Sequence, residues 1–195
     1  MRNSTYANLF RPEIRKEAYL YDLMLVIGGS VFIALCAQFS FSVPFSPVPI
    51  TGQTFAIILT GAFLGSRMAS LTVIAYLLEG IAGLPVFAHA QFGLAHLFGP
   101  TGGYLIGFVP AAFVTGWLAE QGWGKSIFAT FVMMGLGTAL VFVCGLSWLS
   151  LFFGSNNVIE IGLFPYLPGA FVKIVLATLI FTGSRAIIAF RNKGD

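Results

Sequence analysis

The segment that organises this chain runs from Gly83 to Tyr104 and reads GLPVFAHAQFGLAHLFGPTGGY. It places five glycines, two prolines and several polar residues among apolar ones. Glycine permits close backbone approach and positive φ, and proline removes a helical hydrogen bond, so this segment cannot form one regular helix. Irregular backbone beside membrane spans must line a cavity or be buried in protein. We therefore interpret the segment as the lid and wall of a small-molecule pocket.

The composition of the whole chain indicates a polytopic membrane protein. Hydrophobic residues make up 57% of the 195 residues and charged residues only 9%, whereas a soluble domain carries roughly 25% charged residues. The net charge of +3 comes from basic residues scattered in short connections, which argues against a nucleic-acid-binding surface. Cys36 and Cys144 both lie in apolar segments and offer neither a disulfide framework nor a zinc ligand set.

Apolar runs after a charged leader predict an all-α integral membrane protein with six transmembrane helices. The predicted spans are 22–41, 51–64, 68–80, 103–119, 126–153 and 170–190. The first matches a hydrocarbon core about 30 Å thick at 1.5 Å rise per residue. The second and third are short, which predicts tilting or partial crossing. We expect a cytoplasmic or interfacial segment at 1–21 that is not a cleaved signal peptide, a six-helix substrate-binding domain at 22–190 and a cytoplasmic tail at 191–195.

The basic residues predict the orientation. With both termini inside the cell, nine of the ten Lys and Arg residues fall on the cytoplasmic side, as the positive-inside rule requires. These nine are Arg2, Arg11, Arg15, Lys16, Arg67, Lys125, Arg185, Arg191 and Lys193. The 83–104 segment and the loop 43–53 then lie together on the outer face. Three prolines within residues 44–49 exclude a helix in that loop and predict an extended one.

Lys173 is the tenth basic residue and is predicted to lie a few residues inside the outer end of the last span. Its ammonium could snorkel to the interface, or it could bind the carboxylate of an anionic ligand. We favour the ligand because Glu79 and Glu160 are the only carboxylates expected on that side. An ion pair between Glu79 and Lys173 would weaken this interpretation.

Neutral polar groups and aromatic rings complete the predicted site. Gln53, Gln91, Thr101 and Tyr104 can orient a ligand by hydrogen bonds, and Phe87 is one of several phenylalanines that could form its apolar wall. His89 and His96 lack the spacing of a metalloprotease motif, and two histidines alone rarely hold a metal. We therefore predict no metal site. The chain also has no phosphate-binding loop and no Gly-x-Ser-x-Gly nucleophile motif, so energy for pumping must come from a partner.

Four blocks of this sequence resemble the BioY family, the biotin-specific S components of energy-coupling factor (ECF) transporters. The blocks are PVPITGQT at 47–54, GLPVFA at 83–88, GPTGGYLIGF at 99–108 and PGAFVK at 168–173. The resemblance implies a six-helix membrane fold, a biotin pocket closed by the loops after the first and third helices, and no enzymatic activity or cofactor. It also implies a cell-membrane location and two kinds of partner: a transmembrane coupling subunit and a pair of ATP-binding cassette ATPases.

The same resemblance assigns roles to individual residues. Lys173 matches the lysine of a family motif in which Ala170 replaces the usual aspartate, and Gln91 falls where relatives carry a small polar residue. The expected lid residues are Gly83, Pro85, Gly99, Pro100, Gly102 and Gly103. Ser30 and Ala34 match the small-residue pattern through which the first helix docks on the coupling subunit, although the same spacing also suits packing within the bundle.

Three alternatives to biotin capture stay open at this point. The same fold could capture another small vitamin-like carboxylate. An intramembrane enzyme could use His89, His96 and Glu79. A purely structural membrane protein would leave Lys173 and the Gly-Pro loops without a role.

Overall fold

The computed structural model describes residue 7, residues 11–154 and residues 157–191, with side chains as far as residue 185. The long helices are α1 (Arg15–Gln38), α2 (Gln53–Ile81), α4 (Gly102–Glu120), α5 (Ile127–Phe153) and α7 (Leu167–Arg191). The short elements are strands β1 (Ser40–Phe41) and β2 (Ile50–Thr51), helices α3 (Leu94–Leu97) and α6 (Val158–Gly162), and 3-10 turns at Ala88–Ala90, Trp123–Lys125 and Phe164–Tyr166. Five helical segments within these ranges are long and apolar enough to cross a membrane.

Helix α2 is a hairpin of two helical halves. Gly65 has φ 81° and ψ 174°, a conformation outside the helical region that glycine adopts without strain. The side chain of Gln53 donates a hydrogen bond of 2.6 Å to the Tyr76 hydroxyl, whereas a straight helix would separate residues 23 positions apart by roughly 35 Å at 1.5 Å per residue. The halves therefore fold back on each other, which confirms the two short apolar segments predicted on either side of Gly65 and brings the apolar segments to six.

Glu120, at the end of α4, holds the turn of this hairpin. The backbone N–H and the hydroxyl of Ser66 both donate to Glu120 Oε1, at 2.8 and 3.0 Å. Ser66 begins the second half of α2, where the first N–H groups have no partner within the helix and a carboxylate is favoured. Helix α4 can approach this closely because Gly116 faces the turn: a Cβ there would lie 2.4 Å from the Gly65 carbonyl carbon.

Helix α1 packs on the second half of α2 through small residues. Ser30 is fully buried, and its hydroxyl donates to Glu79 Oε1 at 2.7 Å. At Gly29 an added Cβ would lie 2.6 Å from the Thr72 side chain. The Ser30 position therefore serves packing inside the bundle, and the docking role expected for Ser30 stays a prediction. Ala34 is half-buried against the same core, and docking there stays a prediction.

The helix bounds differ from the predicted spans chiefly at the N-terminus. Helix α1 begins at Arg15, so residues 15–21 of the expected interfacial leader continue into the first span. Before α4 begins at Gly102, the 83–104 segment contains one short helix and one 3-10 turn, which confirms that it is not one regular helix. Arg2, Lys193 and the remainder of the predicted tail lie outside the described residues.

We predict that Gly116→Ala destabilises the protein, while Gly135→Ala does not. The new methyl group at position 116 meets backbone at the α2 turn, and overpacking of this kind costs about 1–3 kcal/mol. Gly135 on α5 has nothing within 4 Å of an added Cβ, so alanine there is expected to be neutral or slightly stabilising through its helix propensity. Thermal unfolding of the detergent-solubilised variants measures the difference. Equal melting temperatures would contradict the close packing of α4 against the turn.

Candidate functional site

A cavity lies beneath the two irregular segments, residues 39–52 and 82–101, which we call lid 1 and lid 2. Its lining residues surround about 640 Å³ of empty space, which includes open solvent, and about 60 Å³ of it is available to the centre of a water molecule. Its polar lining residues are Thr51, Gln53, Thr54, His96, Thr101, Tyr104, Tyr166 and Lys173. Its apolar lining residues are Val48, Pro49, Ala88, Leu105, Phe108, Val141, Phe142 and Ala170.

The N-terminal ends of three helices contribute to this lining. Gln53 is the first residue of α2, Tyr104 lies in the first turn of α4, and Ala170 lies in the first turn of α7. The N-terminus of a helix carries a partial positive charge, because its first N–H groups lack acceptors within the helix. The bundle therefore surrounds the cavity with an electrostatic environment that favours a negatively charged ligand.

Lys173 supplies the formal positive charge. It is half-buried on α7, and its ammonium makes no hydrogen bond or ion pair with the described residues. Glu79, the carboxylate that sequence analysis considered as its partner, accepts a hydrogen bond from Ser30 instead. No acidic residue of the described ranges lines the cavity. A half-buried ammonium is partly desolvated, and here no carboxylate compensates for that cost, so an anionic ligand is the natural counter-ion.

Gln53 lies at the base of lid 1 and is held from both sides. Its side-chain amide donates to Tyr76, and its carbonyl oxygen accepts a bond of 3.0 Å from the Thr51 hydroxyl. Tyr76 in turn donates to the Val86 carbonyl in lid 2, at 3.1 Å. Gln53 is thus fixed in orientation and connects the α2 hairpin to both lids, with one amide hydrogen left for a ligand.

Two tyrosines fix the ends of the helices around the cavity. The Tyr104 hydroxyl donates to the carbonyl of Gly162, at 2.8 Å. The Tyr166 hydroxyl lies 2.7 Å from Ser46 Oγ and also contacts the Val48 carbonyl oxygen. Tyr166 therefore attaches the proline-rich part of lid 1 to the start of α7. Tyr166 has no signal in the sequence, because its partners Ser46 and Val48 lie about 120 residues away along the chain.

Lid 1 and lid 2 are joined to each other by side-chain hydrogen bonds. The His89 ring nitrogens lie 3.1 Å from the Ser40 hydroxyl and 3.2 Å from the Ser42 hydroxyl. Gln38 donates to the Phe87 carbonyl and accepts from the Ala90 N–H, both at 3.2 Å. The convergence of the two loops expected from the topology is therefore present. His89 joins the two lids, and Gln38, the last residue of α1, holds lid 2 beside the start of lid 1.

Lid 2 also contains a residue pair that supports the cavity wall. Phe87 is fully buried and lies behind the lining rather than in it, with its ring stacked on His96 at 5.2 Å and 22°. His96 is half-buried and lines the cavity. Burial lowers the pKa of His96 from its ordinary value, so its ring is neutral at neutral pH.

The other predicted residues occupy several different positions. Gln91 is exposed and lies outside the cavity lining, so its contact with ligand stays a prediction. Gly83 adopts φ +103° with open space around it, at the point where the chain leaves α2, and Pro85 lies two residues beyond it. Gly99 accepts a hydrogen bond from Trp148 Nε1, at 3.0 Å, and is followed by Pro100. Within the described residues no three of His, Cys, Asp and Glu are grouped closely enough to hold a metal ion.

Gly102 and Gly103 mark the start of α4 and are buried rather than part of a mobile lid surface. An added Cβ at Gly102 would lie 1.7 Å from the Leu97 carbonyl oxygen, and one at Gly103 would lie 2.1 Å from Trp148 Cβ. Both glycines are therefore required for close packing. Together with the Trp148 bond to Gly99, they anchor the end of lid 2 to α5.

We predict that Tyr166→Phe frees lid 1 without unfolding the bundle. The substitution removes only the hydroxyl that contacts Ser46 and Val48, and the loss of such bonds costs about 0.5–1.5 kcal/mol each. Hydrogen–deuterium exchange is expected to increase in residues 43–49. The matched control is Tyr21→Phe on α1, because the Tyr21 hydroxyl has no hydrogen-bond partner among the described residues. Unchanged exchange in lid 1 would show that Tyr166 does not restrain the loop.

Comparison with known proteins identifies relatives of this chain. A model of the BioY family matches residues 8–190. A Pyrococcus horikoshii protein named probable biotin transporter BioY is 38% identical over 154 residues, which cover 77% of this chain and 90% of that protein. A Thermotoga maritima protein named biotin transporter BioY is 37% identical over 166 residues, which cover 84% of this chain and 90% of that protein.

The fold has a counterpart among crystal structures. The S-component for biotin from an ECF-type ABC transporter matches it with a TM-score of 0.80 and 26% sequence identity, over 89% of this chain and 95% of that one. The similarity spans the helical bundle and the lids, and the family match covers almost all of the sequence. This chain therefore belongs to the BioY family.

Proposed function

We propose that this protein binds biotin in the lid cavity and acts as the substrate-capture component of a vitamin uptake transporter in the cell membrane. In this role it binds and releases its ligand without changing it, so it is not an enzyme. The names of the Pyrococcus horikoshii and Thermotoga maritima relatives and the biotin S-component of similar fold support the choice of ligand. The cavity supports it independently through its chemistry.

The observation that carries the proposal is the unpaired ammonium of Lys173 in an otherwise neutral cavity. Biotin is a carboxylate joined by an apolar chain to a bicyclic ring that bears a neutral urea. Its carboxylate needs one cation, its chain needs apolar walls, and its urea needs neutral donors and acceptors. Lys173, the wall residues such as Phe108 and Phe142, and the neutral polar groups of the lining supply these three requirements.

The roles of the remaining residues follow from their positions. Gln53 and Tyr104 orient the ligand from the ends of α2 and α4, with their own partners fixing their geometry. Phe87 supports the wall from behind, and Gln91 reaches the ligand only if lid 2 moves inward. The segments around Gly83, Pro85 and the 99–103 turn form the hinges and anchor of lid 2.

Ala170 favours a second candidate ligand within the same class. It lines the cavity where the family motif carries an aspartate, so this chain has one carboxylate fewer beside the ligand. Alanine in place of aspartate removes an acceptor for N–H groups of the ligand. A related vitamin-like carboxylate with fewer N–H donors than biotin would therefore lose less binding affinity. A panel of such acids tested beside biotin distinguishes the two ligands.

Transport requires partners that supply energy. We propose a transmembrane coupling subunit and two ATP-binding cassette ATPases, as the resemblance to the BioY family implies. The related structure is itself the S-component of an ECF-type ABC transporter, which supports a partner of this class. The N-terminus is then cytoplasmic, the lids face outward, and the ligand enters from outside before the partner drives its release. The lids then lie on the side opposite the Gly65 turn, where Arg67 and the Trp123–Lys125 turn face the cytoplasm.

We expect the purified protein to bind biotin, and Lys173→Ala to weaken binding by about tenfold to a hundredfold. This range corresponds to the loss of roughly 1.5–3 kcal/mol for a hydrogen bond to a charged group. Biotin methyl ester, which lacks the negative charge, is expected to bind the unaltered protein as weakly as biotin binds the variant. Isothermal titration calorimetry in detergent measures all of these affinities.

Lys125→Ala is the matched control, because it removes the same charge from an exposed position away from the cavity. It is expected to bind biotin as the unaltered protein does. If biotin binds tightly and neither Lys173→Ala nor esterification weakens binding, biotin is still the ligand, but Lys173 does not bind its carboxylate. No binding of biotin, with binding of another acid in the panel, would favour the second candidate.

A further inference from the structure

The two histidines of lid 2 are in contrasting situations. Both ring nitrogens of His89 lie within hydrogen-bond distance of serine hydroxyls in lid 1, so this ring is fully engaged in joining the lids. The ring nitrogens of His96 make no hydrogen bond with any described residue. His96 lines the cavity, so a ligand in the cavity can supply partners for these nitrogens.

The His96 ring is held in place by the residues behind it. It stacks on Phe87, which is fully buried. Phe87 packs edge-on against Tyr76 at 5.6 Å and rests on Gly80, where an added Cβ would lie 2.1 Å from the phenyl ring. Phe87 therefore has no room to move back, and the imidazole is presented at the cavity wall by a rigid support. A pre-positioned polar group of this kind orients a ligand at little entropic cost.

Burial lowers the pKa of His96, and no neighbouring carboxylate of the described residues opposes this effect. The cavity lining contains the ammonium of Lys173 and no carboxylate of the described residues, so no anion is present to favour the imidazolium form. Glu79 on the neighbouring helix is bonded to Ser30. A neutral imidazole offers one N–H donor and one nitrogen acceptor, which suits a neutral amide or urea better than a carboxylate.

Few other neutral side chains of the lining are without a hydrogen-bond partner among the described residues. The Gln53 carbonyl oxygen already accepts from Thr51. The Tyr104 and Tyr166 hydroxyls are bound to Gly162 and to lid 1. The unengaged groups are His96 and the hydroxyls of Thr54 and Thr101. Of these three side chains, His96 is the one held in position by stacking on a buried aromatic ring.

We infer that His96 contacts the neutral polar end of the ligand, which for biotin is the urea of the bicyclic ring, and that Lys173 contacts its carboxylate. This assignment rests on the proposed function. In this arrangement His96 is the residue of lid 2 that contacts the polar ring of the ligand, and Phe87 and Gly80 position it. The two ends of the ligand are thereby recognised by different elements, lid 2 and helix α7.

The test combines two substitutions with two ligands. His96→Leu removes both hydrogen-bonding nitrogens and keeps an apolar side chain in their place, and we expect it to weaken biotin binding by about tenfold, because the urea loses its partner. The fold-loss is expected to be the same for biotin methyl ester, because esterification leaves the urea intact. Lys173→Ala is expected to behave in the opposite way, with most of its fold-loss disappearing for the ester.

Two further variants separate a direct contact from a structural effect. His96→Gln retains a donor and an acceptor and is expected to recover most of the affinity lost in His96→Leu. His89→Leu loosens the attachment of the lids and is expected to accelerate biotin dissociation, whereas His96→Gln leaves the dissociation rate close to that of the unaltered protein. Calorimetry and dissociation of radiolabelled biotin provide the two measurements, and thermal unfolding of each variant verifies the fold.

Each outcome has a definite meaning. A loss in His96→Leu that disappears with the ester would assign His96 to the carboxylate and overturn the inference. Tight biotin binding that His96→Leu leaves unchanged would also overturn it, while leaving the proposed function intact. If the unaltered protein does not bind biotin, both the proposed function and the inference about His96 are overturned, because His96 would then have no biotin urea to contact.

Discussion

The hydrogen bonds from Ser66 to Glu120 allow an apolar helix to reverse its direction inside a membrane protein. A turn at Gly65 leaves the first N–H groups of the following half-helix without partners, and unpaired backbone groups are costly where water is scarce. Glu120 accepts from both the N–H and the hydroxyl of Ser66. The rest of the site depends on this reversal, because it returns Tyr76 to the level of Gln53 and so positions the base of the cavity.

The bundle and the lids contribute to the site in different ways. The helices provide the cation, the apolar walls and the positive ends of α2, α4 and α7. The lids contribute neutral polar groups, and they are held by single side chains such as Gln38, His89 and Tyr166 rather than by a continuous ladder. Such attachments are individually weak, each worth about 0.5–1.5 kcal/mol, so a closed lid can open without disturbing the helices.

Some of this arrangement could be predicted from the sequence, because it depends on local rules. The length of the apolar runs, the Gly65 break and the prolines of lid 1 follow from hydrophobicity and backbone stereochemistry. Lys173, Gln53 and Tyr104 were found because a polar group beside a membrane span is conspicuous, and all three line one cavity. Their contact with ligand is a prediction that the geometry favours.

Other features depend on side-chain direction in irregular backbone, which has no period to reveal it. His96 and Tyr166 line the cavity, and Gln38 holds lid 2, through contacts between residues far apart in sequence. Ser30 shows a different difficulty: small residues at helical spacing suit docking on a partner and packing within the bundle equally well. The structure shows the packing of Ser30, and docking stays a prediction. Phe87 was expected in the wall and lies one layer behind it, supporting His96.

The prolines of lid 1 have a thermodynamic consequence. Ordering a residue of free chain costs about 1–2 kcal/mol of conformational entropy. Pro44, Pro47 and Pro49 have fixed φ values, and the pairing of Ser40–Phe41 with Ile50–Thr51 already brings the two ends of the loop together. Lid 1 therefore has less conformational entropy to lose on closing over a ligand than a flexible loop of the same length would have. A correspondingly larger share of the ligand's interaction free energy is available as affinity.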